Sequence, residues 1–111
     1  MLFIWILIGL LSGLLAGNGF PHFVRGITKQ NYPSVFGSGP ATNLIVGWIG
    51  LTLASIGFAW ISTSPDSIAA LVAGAIGVLA IGLFHATIGA FGRDSQPSAP
   101  TESDGRPLAR E

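Results

Sequence analysis

His22 and His85 are the two imidazoles of a 111-residue chain that contains no cysteine. An imidazole titrates near neutrality, donates or accepts hydrogen bonds and ligates metals, so chemistry could reside at these positions. His85 lies in an apolar run, where a polar side chain raises functional suspicion because its burial in lipid is costly. Three roles are open to it. It can be a neutral histidine bonded to a carbonyl, to Asn18 or to a hydroxyl, which is our expectation; it can relay a proton; or it can pair with His22 as a metal or haem ligand. Two imidazoles without thiolates or nearby acids make a thin metal site, so His22 and His85 remain bare candidates and no cofactor is expected.

The other reactive residues are informative by position. Asp66, Asp94, Glu102, Asp104 and Glu111 all fall in a turn or in the C-terminal stretch, and none sits mid-span, where ion-coupled transporters keep an acid. The absence of cysteine removes disulfides, thiol redox chemistry and iron–sulfur clusters. No G-x-S-x-G turn, H-E-x-x-H helix or phosphate loop with its lysine is present. Gly37-Ser38-Gly39 lacks the following lysine, and Pro40 and Asn43 read instead as loop and helix cap. No basic stripe suits nucleic acid. Nothing in these residues argues for an enzyme.

The elements that hold the histidines belong in a membrane. Only 9% of the residues are charged, against about 25% in an average soluble chain. Residues 1–24, 30–65 and 67–92 carry no formally charged side chain. A span needs about 20 apolar residues. Three candidates follow: residues 1–17, 43–61 and 67–91. The first lacks the positive leader and small-x-small site of a cleaved signal, so we expect it to be retained. Ser62-Thr63-Ser64-Pro65-Asp66 is short enough to force an antiparallel hairpin, with Asp66 or Ser67 capping the next helix. The fold class expected is an all-α membrane protein with three transmembrane helices. Residues 1–91 form the membrane domain, and residues 92–111, polar and proline-bearing, form a disordered cytoplasmic tail. With a third span reaching Phe91, His85 would lie about 9 Å inside it.

The loop at 18–42 is less uniform. Phe20, Phe23, Val24 and Ile27 recur at helical spacing, with Arg25 and Lys29 on another side, Pro21 suited to a first turn and Asn18 to a cap. These residues predict a separate interfacial amphipathic helix, with Phe20, Phe23, Arg25, Ile27 and Lys29 at the membrane surface. The alternative is a re-entrant segment. All five Lys and Arg residues fall on the loop-and-tail side, which places the N-terminus outside and the C-terminus in the cytoplasm.

Gly17-Asn18-Gly19-Phe20-Pro21-His22-Phe23-Val24, with Gly26 and the later Phe36-Gly37, resembles small bacterial integral membrane proteins of unassigned function. The resemblance covers roughly residues 17–50 and implies the bacterial inner membrane. It implies no activity, substrate or cofactor.

Rows of small residues complete the pattern. Gly9, Gly13 and Gly17 form GxxxGxxxG, and Ala70, Gly74, Gly82, Ala86 and Ala90 share an i+4 row broken by Val78. Such rows let helix backbones approach closely. They could pack the three helices on one another, or form an interface with another copy or a larger complex. The function expected is a small non-enzymatic inner-membrane protein that self-associates or serves as an accessory subunit, with the lipid bilayer as its surroundings. The alternative is an oligomeric transport or permeation component with His85 near the pathway.

Overall fold

The computed structural model describes residues 1–89. Over them the chain is all-helical, with α1 at Leu2–Ile27, α2 at Pro40–Ile61 and α3 at Ser67–Thr87, and no strand among the described residues. At 1.5 Å per residue the 26, 22 and 21 residues extend about 39, 33 and 32 Å. A hydrocarbon core is about 30 Å thick, and all three helices are long and apolar enough to cross it.

α1 lies between the other two and packs along both, while α2 and α3 meet only sparsely. Its α2 side is a heptad seam of small residues: Ser12, Gly19 and Gly26, seven apart. A methyl group on Gly19 would press on the Gly47 carbonyl, and one on Gly26 on the Leu44 backbone. α2 answers with Asn43, Gly47, Gly50, Ala54, Gly57 and Ile61, at alternating steps of four and three. On the α3 side, a methyl on Gly9 or Gly13 would strike the carbonyl of Ala70 or Gly74, and one on Gly77 that of Leu10. Between lipid-exposed helices there is no hydrophobic driving force, and packing of this closeness supplies the contacts instead. At the hairpin end Trp5 and Trp60 meet edge to face with centroids 6.1 Å apart, tying α1 to α2.

Several expectations need correction. The first span does not stop at Gly17, and residues 18–27 are not a separate amphipathic helix in the loop; they are the last turns of α1, which runs through Pro21. An interior proline costs about 3 kcal/mol, and the contacts of Gly19 and Gly26 with α2 flank it and offset that loss. The third helix ends at Thr87, not Phe91. Gly89 adopts φ +71°, and the amides of Ile88 and Gly89 both donate to the Phe84 carbonyl, a left-handed glycine stop. α2 begins three residues early, with Gly39 extended at the cap position and Pro40 opening the helix. Asp66 does occupy the cap position of α3, but its side chain makes no capping bond; its amide donates to Ser64 Oγ at 3.0 Å. Ala90 and the 92–111 tail lie outside the described residues.

The row on α3 also splits. Ala70 and Gly74 are buried, whereas Gly82 and Ala86 are exposed. Each i+4 step turns about 40° around a helix of 3.6 residues per turn. Gly82 therefore points about 120° away from Ala70, and the two cannot face the same neighbour. The α3 positions that stay on α1 drift to Gly77, Ile81 and His85.

Candidate functional site

The polar side chains gather where the loop between α1 and α2 folds back on the helix ends. Asn43 anchors the cluster from the first turn of α2 with no exposed surface. Its Nδ2 donates to the carbonyls of Tyr32 at 2.8 Å, Gly39 at 2.9 Å and Ser38 at 3.1 Å. Three acceptors fix which way the amide faces, so Oδ1 is presented to α1. There it accepts from Nδ1–H of His22 at 2.6 Å. The carbonyls thereby set the tautomer of His22, which is 5% exposed.

Tyr32 links the loop to the other imidazole. Its hydroxyl lies 3.1 Å from Nδ1 of His85, whose Nε2 lies 3.0 Å from Oδ1 of Asn18. With Asn18 presenting oxygen, Nε2–H donates to it, and Nδ1 accepts from the tyrosine. The Tyr32 ring stands edge-on to His22 at 4.9 Å, and the Arg25 guanidinium sits 5.7 Å from its centroid. Burial pushes the Tyr32 phenol above its ordinary pKa of about 10, and the positive Arg25 offsets this in part. The two histidine rings are 6.2 Å apart.

His22 and His85 thus share one site, and Asn18, one of the partners considered for His85, takes that role from mid-helix instead of capping. Asn43 is a clamp on the loop and not a cap. Final-turn placement puts His85 nearer the helix end than a longer span would. Tyr32 is the residue that sequence reasoning missed. Its signal was slight: one aromatic before a proline in a loop. Of the surface candidates, Phe20, Ile27 and Lys29 are exposed, while Phe23 and Arg25 are half-buried, Arg25 being turned toward Tyr32 and Gln30.

Chemically the cluster is a satisfied hydrogen-bond network. Among the described residues no buried side-chain nitrogen or oxygen lacks a partner, and no group of three His, Cys, Asp or Glu side chains assembles. Both ring nitrogens of His85 and Nδ1 of His22 are engaged, so a metal shared by the two imidazoles would have to displace a bond of His85. Asp66, the one acid among the described residues, is at the hairpin turn, leaving Arg25 as the permanent charge beside the imidazoles.

A second feature lies on the opposite face of α1, since Phe20 and Asn18 are about 160° apart around the helix. Here α2 and α3 leave an apolar groove of about 350 Å³ lined by Ala16, Gly17, Phe20, Leu51, Val78 and Gly82. A methyl on Gly82 would meet nothing within 4 Å. Comparison with family models, with curated proteins and with solved structures finds no match for the chain.

Proposed function

We propose that the protein is a small, non-enzymatic component of the bacterial inner membrane that works by association, with a second copy or within a larger membrane complex. The observation that carries this reading is the unfilled groove. Elsewhere in the helices, glycines facing a neighbour admit another backbone, as Gly9, Gly13, Gly26 and Gly47 do; Gly82 has the same lack of bulk and no neighbour. The polar side chains are occupied with one another, which leaves a helix face as the surface most available for a role. Substituting Gly82→Leu tests it. Association in mild detergent should be lost while the fold persists, and an unchanged assembly would count against the groove.

The orientation belongs to the same reading. Arg25 and Lys29 at the loop end favour the cytoplasmic leaflet, with the N-terminus outside. The inner turns of α1, extending past a core of about 30 Å, then bring Phe20, Phe23, Arg25, Ile27 and Lys29 toward the headgroups. A reporter fused at Glu111 should be active only in the cytoplasm.

The Asn18–His85–Tyr32 chain favours a second reading, an oligomeric transport or permeation component. Beyond the cluster the α1 seams are apolar apart from Ser12, so any path would run between copies. His85→Ala should then change proton flux into vesicles, and unaltered flux would remove this reading.

A further inference from the structure

The loop carries an apolar tip for which the helix bundle has no use. Residues 32–38 close on themselves through the Tyr32 amide and the Ser38 carbonyl at 3.0 Å, and within them the Gly37 amide donates to the Ser34 carbonyl at 3.3 Å. Ser34 Oγ accepts from the Phe36 amide at 3.2 Å, and Gly37 takes φ +120°, which favours glycine. The base is pinned by Asn43 and by the buried Tyr32 side chain. The result is a braced finger whose two tip residues, Val35 and Phe36, are 72% and 73% exposed. Exposed apolar residues on α1, α2 and α3 face lipid by position; these two lie outside every helix.

Among the described residues the charge at this end is positive. Arg25 and Lys29 are here, and the described acid, Asp66, is at the other end. A braced apolar tip at the same end as two cations complements a leaflet with anionic headgroups, where rings settle at headgroup depth and each cation near the surface adds attraction. We propose that Val35 and Phe36 dock into the headgroup region of the protein's own leaflet, at anionic phospholipid drawn there by Arg25 and Lys29. The docking does not depend on the groove or on what associates there.

The absence of cysteine makes the test clean. Full-length protein carrying Val35→Cys or, as reference at the opposite turn, Thr63→Cys is labelled with an environment-sensitive dye. It is reconstituted with iodide on both sides into vesicles of phosphatidylcholine, with or without phosphatidylglycerol. Quenching at 35 should be several-fold weaker than at 63 in the anionic vesicles, and the protection should shrink in neutral ones. Phe36→Ser should weaken it further. Lys29→Asn should reduce the dependence on composition, and asparagine suits the φ of +57° at that position. Equal quenching at 35 and 63 would overturn the proposal. So would protection indifferent to headgroup charge, or protection found only in native membranes, which would assign the tip to a protein partner.

Discussion

The 2.6 Å hydrogen bond between Asn43 on α2 and His22 on α1 decides which ring nitrogen of the histidine donates. Because Nδ2 of Asn43 is committed to loop carbonyls, Oδ1 is left to accept, and His22 must carry its proton on Nδ1. The same amide fastens the loop to α2, so one side chain sets both the loop's position and the imidazole's polarity.

The tautomers are directly observable. With two histidines in the chain, ¹⁵N-labelled imidazoles should give two resolved patterns, with a proton on Nδ1 of His22 and on Nε2 of His85. A Nε2–H signal from His22 would show that the amide faces the other way.

Removing the anchor should release the loop. Asn43→Leu leaves the Tyr32 carbonyl and the His22 N–H unpaired, at about 1–3 kcal/mol for each group that stays dry, while the Ser38 and Gly39 carbonyls keep their backbone donors. Unfolding in detergent should shift accordingly, and amides near Tyr32 and Ser38 should lose protection from exchange. Tyr32→Phe removes one hydroxyl and should cost only about 0.5–1.5 kcal/mol; a larger loss would mean that the hydroxyl holds more than His85.

Tyr32 gives the pH dependence its sign. A phenol whose folded pKa lies above the unfolded value contributes stability below about pH 10, and that stability is lost as pH rises through the folded value. Tyr32 is the sole tyrosine, so its phenolate absorbance reports the event alone. The folded protein should ionise at higher pH than the unfolded chain, and Arg25→Gln should raise that pH further. Ionisation at the ordinary value would show the ring to be solvated.

The span count, the tight hairpin and the closeness of the helices were legible from charge-free stretches and small-residue rows. What was hidden has physical causes. Gly17, Asn18, Gly19 and Pro21 read as punctuation, yet packing against α2 carries α1 through them. The i+4 row on α3 looked continuous, but rotation takes Gly82 off the face that holds Ala70 and Gly74. The heptad seam from Gly47 to Ile61 was present in the sequence, unmarked because no single GxxxG announces it. Asn18 was named beside His85 as a partner, whereas Tyr32 and Asn43 became neighbours of His22 only through the folded loop.

Two glycines should separate fold from association. Gly13→Leu drives a side chain into the Gly74 carbonyl and should lower stability by about 1–3 kcal/mol or more, as overpacking does. Gly82→Leu fills open space and should shift monomer stability by less than about 0.5 kcal/mol. Equal damage from both would mean that α3 sits differently on α1.

Site-specific photo-crosslinking from position 82 in native membranes tests association most directly. A crosslinker there should capture one discrete protein, a second copy or a defined subunit, and the capture should vanish when Leu51→Trp blocks the groove. Recovery of lipid adducts alone, with a monomer in mild detergent, would contradict the account.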